Sequence, residues 1–189
     1  MFFDALSLNI TKRVAMKILI KILFVLAVFF LGINAIKAQT TRKERQAEKV
    51  ASINKMVNDT SYVFEANYAD PMNGGQKVLT SEYDLKITRD TVTAFLPYYG
   101  RAYMAPNTPD VNEGGIKFTS TNFSYKMQKK KNGTWSILIK KKDTNLTDWR
   151  DVQSLTLDIS PQGYASLEVI STNRDPISFD GNIEKIGER

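Results

Sequence analysis

The chain has 189 residues and contains neither cysteine nor histidine. Those two absences exclude disulfides, Ser–His–Asp and Cys–His catalysis, and the usual nitrogen and sulfur metal ligands, so no metal and no cofactor is expected. Lys and Arg number 26 against 20 Asp and Glu, but Lys12, Arg13, Lys17, Lys21 and Lys37 fall within residues 1–38 with only Asp4, which leaves a net charge of +2 for the remainder and no reason to expect a nucleic-acid partner.

The first segment, residues 1–38, has the parts of a secretory leader. Met16 precedes Lys17 and reads as the true start, with residues 1–15 as an upstream extension. Lys17 and Lys21 form the basic region, Ile22 to Ile33 the apolar one, and Ala38 is the small residue before a cut that leaves Gln39 first, with Ala35 as a second cut point. The alternative is a retained anchor, since the apolar stretch counted from Ile18 approaches the ~18 residues of a membrane span, but Lys21 interrupts it. The expectation is an exported protein, periplasmic or extracellular, with no membrane span once mature. Without a cysteine it has no site for a lipid anchor.

Residues 39–60 are polar, with Ala47, Val50, Ala51, Asn54 and Val57 at helical spacing, which predicts one amphipathic helix over about residues 41–57. From Ser61 the period changes to two, and residues 61–189 read as one β domain. Tyr62, Phe64 and Ala66 alternate with Val63, Glu65 and Asn67, and Asp70 to Gly75 reads as a turn. Tyr83, Leu85 and Ile87, then Val92, Ala94 and Leu96, form a hairpin across Arg89-Asp90. The stretch from Pro97 to Gly115 lacks periodicity. Ile116 and Phe118 open another strand, and Phe123, Tyr125 and Met127 lead to Asn132-Gly133, which predicts a type I′ turn into Trp135, Ile137 and Ile139.

Three further alternating runs follow: Leu155 to Ile159, Ala165 to Val169 and Ile177 to Ile183, with Pro161-Gln162-Gly163 turning the first into the second. The pattern is mainly β: an antiparallel up-and-down meander of about eight or nine strands, forming a lipocalin-like barrel with the helix outside it or across one end.

Three blocks carry a resemblance: Phe95-Leu96-Pro97-Tyr98-Tyr99-Gly100-Arg101-Ala102-Tyr103, then Gly114-Gly115-Ile116-Lys117-Phe118, and Asn173-Arg174-Asp175-Pro176-Ile177-Ser178-Phe179-Asp180-Gly181. Together they resemble the family known as domain of unknown function 4251, found in exported Bacteroidota proteins. The resemblance implies a β-barrel-like domain in the envelope and supplies no catalytic residue. Many members look like lipoproteins, a feature this cysteine-free chain lacks.

No catalytic residue stands out, and the protein reads as a non-enzyme. Tyr98, Tyr99 and Tyr103 offer flat apolar faces with hydroxyl tips, and Arg101 a donor fork suited to a carboxylate, phosphate or sugar, so these four are candidate ligand-binding residues together with Asn173 and Arg174. The competing reading is that the tyrosines cover the core and Arg101 pairs with a nearby acid. Lysines around the Asn-Gly turn read as a solvated hairpin tip. Asp90-Thr91-Val92 resembles a short O-glycosylation acceptor, making Thr91 a candidate. Three functions follow: an envelope domain binding a small or extended ligand, a structural or protein-interaction module, and a glycan hydrolase built on two carboxylates.

Overall fold

The computed structural model describes residues 21, 42–103, 114–143 and 151–187. The Met16 start and the cut between Ala38 and Gln39 lie outside them. Among the described residues, no helix is long and apolar enough to cross a membrane. The chain divides into two compact units, Met1–Glu48 and Lys49–Arg189. In the first, residues 42–48 are helical and exposed.

The second unit opens with helical residues 49–59, here α1. Their inward stripe differs from the expected one. Ile53 and Val57 are buried and Met56 packs against the same core, whereas Ala51 is exposed. Spacings of three and four put these larger side chains on one face, and their greater apolar area decides which face turns inward.

Ten strands follow: β1 Tyr62–Pro71, β2 Lys77–Val78, β3 Asp84–Ile87, β4 Val92–Leu96, β5 Ile116–Ser120, β6 Phe123–Lys129, β7 Trp135–Lys141, β8 Val152–Ile159, β9 Tyr164–Ser171 and β10 Ile177–Glu184. The predicted meander is present. The sheet order is β5-β4-β3-β1-β10-β9-β8-β7-β6, with β2 as a short flap on β1, and every ladder is antiparallel. Lipocalin-like describes it well.

β5 and β6 are not a hairpin, as consecutive strands in a meander would be. Eight antiparallel steps separate them in the sheet order, so they point the same way, and only residues 121–122 join them. They are two halves of one bent strand. The first half pairs with β4 and the second with β7. Chain continuity thus completes a ring of eight strands, the size at which side chains fill the interior.

They do fill it. Tyr62, Phe64, Leu85, Ile87, Leu96, Ile137, Leu155, Leu157, Ile159 and Phe179 are wholly buried. Burial of each such large apolar side chain stabilises the fold by roughly 1.5–3 kcal/mol. The Tyr62 hydroxyl lies 3.2 Å from that of Tyr125 on the bent strand, a polar link between two strands that are not neighbours in the sheet.

The turns correct two details. β1 runs through buried Pro71, so the expected turn at Asp70 starts two residues later. The Asn132-Gly133 hairpin is not type I′: among the described residues, Thr60 is the only non-glycine with positive φ. Instead Gly133 N–H donates to Lys130 O at 3.0 Å and Lys130 N–H to Thr134 O at 2.7 Å. That is a three-residue loop with a type I turn and a left-handed glycine. The β8–β9 turn repeats it, with Gly163 N–H to Ser160 O and Ser160 N–H to Tyr164 O. Both glycines have φ near +90°. A lysine-rich tip thus reaches the right register by a different turn.

α1 covers the barrel end that carries these two turns. Asn54 Oδ1 accepts from Trp135 Nε1 at 2.9 Å and Lys129 Nζ at 3.0 Å, and Ile53 lies over Gly163.

Candidate functional site

β4 and β9 run in the same direction, away from α1, and stand on opposite sides of the ring, with three strands between them either way. The loop that leaves β4 after Leu96 must therefore cross the barrel mouth to meet the loop that leaves β9, and it does. Ala102 and Arg174 form an antiparallel bridge. Tyr103 N–H donates to Asn173 O, and Asp175 N–H to Arg101 O, each at 2.9 Å. The two loops form a strap over the far end of the barrel.

Tyr98 is the centre of the strap. Its hydroxyl lies 2.9 Å from Arg101 O and 3.0 Å from Asp175 O, so one proton serves two carbonyls on the two loops. Burial, reinforced by the Asp175 charge, pushes its pKa up to about 12. Arg174, only 3% exposed, lays its guanidinium over the Tyr98 ring at 4.6 Å, and Nη1 donates to Gly115 O at 3.4 Å. Arg174 thereby holds both limbs of the β4–β5 loop. Tyr103 donates its hydroxyl to Asp175 Oδ1, a bond that raises the pKa of the phenol.

The six candidate residues are thus brought together and sort into two layers. Tyr98, Arg174 and the Asn173 backbone make the frame. Tyr99, Arg101 and Tyr103 face solvent above it. Arg101 lies 5.9 Å over the Tyr103 ring, and among the described residues no carboxylate pairs with it. Sequence reading missed two members. Asp175 is the acceptor for Tyr103, and its position directly after Arg174 was the available signal. Lys77, 5.6 Å over the Tyr99 ring, sits on the unforeseen β2.

Thr91 lies in the β3–β4 turn. Its N–H donates to Thr88 Oγ1 at 3.0 Å, its carbonyl accepts from Thr88 N–H, and the residue is half-buried. Among the described residues, no group of three or more acids gathers as a metal would need.

The family model described as Domain of unknown function (DUF4251) matches residues 44–183. The crystal structure of a DUF4251 family protein from Bacteroides eggerthii DSM 20697 is similar in fold, with a TM-score of 0.54 at 16% identity over 76% of this chain and 94% of that one. No curated protein matches.

Proposed function

The chain belongs to the DUF4251 family, and from the strap just described we propose that it is an exported, non-enzymatic binding domain of the cell envelope. Its ligand carries a carboxylate or phosphate group that Arg101 takes between Tyr99 and Tyr103. The supporting observation is the contrast between the layers of the strap. Buried Arg174 is enclosed by ring and backbone contacts, whereas Arg101 is exposed with no acid against it among the described residues. A guanidinium held over the flat face of Tyr103 on a braced backbone is pre-organised for a planar or tetrahedral oxyanion.

The experiment is a titration with tetragalacturonate, and separately with glycerol phosphate, followed at the arginine Nε–H signals by NMR. The Arg101 signal is expected to move, and Arg101→Ala to abolish binding. A silent Arg101, or binding unchanged in the variant, refutes the reading. Export carries its own check: mass spectrometry of the secreted product is expected to find Gln39 first, with any glycan mass on the peptide containing Thr91.

A second reading, a protein-interaction module, draws support from exposed Met72, Val78 and Phe95, the last stacked on Tyr83 at 5.7 Å. It predicts self-association or a protein partner that Phe95→Ser disrupts, read by sedimentation and cross-linking.

A further inference from the structure

A second concavity lies on the outer wall, away from the strap, and its residues were not singled out in the sequence as ligand-binding. It is a groove of about 430 Å³ over β8, β9, β10 and β1, within the range of small-molecule sites. The sheet register builds it. Asp158 on β8 stands opposite Ser166 on β9, Ser166 opposite Asp180 on β10, and Asp180 opposite Tyr68 on β1. One row along, Tyr164 stands opposite Asn182. All these side chains point outward by the two-residue alternation, since Ala165, Leu167 and Phe179 point in.

The β1 ladder shifts register between Ala66 and Tyr68, leaving Asn67 as an extra residue. Gly181 faces this bulge so closely that a Cβ there would collide with the Glu65 carbonyl oxygen. Bulge and glycine bring β1 and β10 together and set Tyr68 at one side of the groove. Tyr68 is 41% exposed and Tyr164 is 65% exposed.

We propose that this groove binds a neutral saccharide, with the tyrosine faces against the C–H faces of sugar rings and Asp158, Asp180 and Asn182 bonding ring hydroxyls. The argument is one of chemical matching. Two carboxylates repel phosphate and carboxylate ligands. Two cations lie beside the groove and both are engaged: Lys130 is 2.9 Å from Asp158, and Lys49 lies 5.8 Å over one face of the Tyr164 ring, which leaves the other face for a ligand. Metal capture needs a tighter set of acids than exists among the described residues. What remains suited to two half-exposed aromatic rings with acceptors, an amide and Ser166 between them is a ligand rich in hydroxyl donors with apolar faces. Burial opposes ionisation of Asp158, but hydrogen bonds from Ser136 and Lys130 outweigh it and hold the carboxyl below its ordinary range, so it accepts hydroxyls and has no proton to give.

The test is a titration of the full-length ¹⁵N-labelled protein with cellotetraose, maltotetraose and chitotetraose at millimolar concentrations. At least one is expected to shift the amides of Tyr68, Tyr164, Ser166 and Asn182. Tyr164→Ala, at an exposed position that folding tolerates, is expected to weaken that binding about tenfold, and Asp180→Asn to weaken it as well. Arg101→Ala is expected to leave it unchanged, which separates this groove from the strap. The proposal is overturned if none of the three moves a groove amide, if the shifts fall on residues 98–103 instead, or if Tyr164→Ala binds as tightly as the parent.

Discussion

The ammonium of Lys141 stands 2.7 Å from Asp151 Oδ1, with only 12% and 6% of the two side chains open to water. The same ammonium lies 5.1 Å over the ring of Phe118, on the first half of the bent strand, while Lys141 itself pairs with Phe123 on the second half. The pair therefore fastens the place where the barrel changes from one ladder to the next. Ser120, buried beside the bend, adds a bond from Oγ to Asp143 Oδ1 at 3.1 Å. Removing one partner of a buried ion pair leaves an uncompensated charge, at a cost of about 3–5 kcal/mol. Lys141→Met is expected to lose that much in urea denaturation, and Lys141→Met with Asp151→Leu to recover part of it. A loss below ~1 kcal/mol in the single variant would show that the pair does not hold the bend.

Gly181 gives a prediction of a different kind. Its φ is not in the left-handed region, so alanine meets no backbone penalty there. The obstacle is the Glu65 carbonyl, a backbone atom that cannot rotate aside. Gly181→Ala must open the β1–β10 ladder at the bulge, and overpacking of this kind costs about 1–3 kcal/mol or more. Thermal unfolding checks it. Gly74→Ala is the comparison: a Cβ there meets nothing within 4 Å, and the cost is confined to its positive φ in an exposed turn.

How much of this was legible in the sequence follows from what creates period-two alternation. The runs at Leu155, Leu157 and Ile159 and at Ala165, Leu167 and Val169 lie in a wall with one dry and one wet face, and every one of these six is buried. β2 was invisible because two residues cannot show a period. The bend was invisible because Ser120 points inward, satisfied by hydrogen bonds and not by apolar burial, so hydropathy falters where the strand continues. The Tyr98 block drew notice by its residue types, but no local pattern encodes that its partner is Arg174, on the opposite side of the ring. Tyr68 and Tyr164 occupy outward positions of their strands, where an exposed tyrosine is ordinary. Their shared groove depends on which strands are neighbours, and that is a property of the closed ring.

Alkaline pH should unfold the protein through its tyrosines. Tyr62 and Tyr125 are raised by burial, Tyr62 well above the ordinary value, and Tyr98 is raised to about 12. The folded state therefore keeps these protons after the unfolded chain has lost them near pH ~10. Their contribution to stability is full below ~10 and disappears as pH rises through the folded values. The urea midpoint is expected to fall steeply between about pH 10 and 12. In the folded protein, phenolate formation at Tyr62, Tyr98 and Tyr125, read by NMR of the ring carbons, is expected only above the range in which the unfolded chain ionises. Ionisation of these three at the ordinary tyrosine pKa of ~10 would contradict the burial assigned to them.

Tyr98→Phe separates the strap from the barrel beneath it. The ring and its stack on Arg174 remain, while the two hydroxyl contacts to Arg101 O and Asp175 O are lost. Two carbonyls lose their shared donor at a site that is only partly buried, so the expected cost is about 0.5–1.5 kcal/mol. The location of that loss matters more than its size. The amides of Tyr103 and Asp175 donate across the strap, to Asn173 O and Arg101 O, and these are expected to exchange with deuterium faster in the variant. Amides of Ile137 and Leu157, in the wall of the barrel, are expected to exchange at the parental rate once corrected for any global change. Equal acceleration everywhere would mean that the strap and the barrel open as one unit. Tyr99, Arg101 and Tyr103 could then not rearrange around a ligand without unfolding the domain, and binding there would have to be rigid.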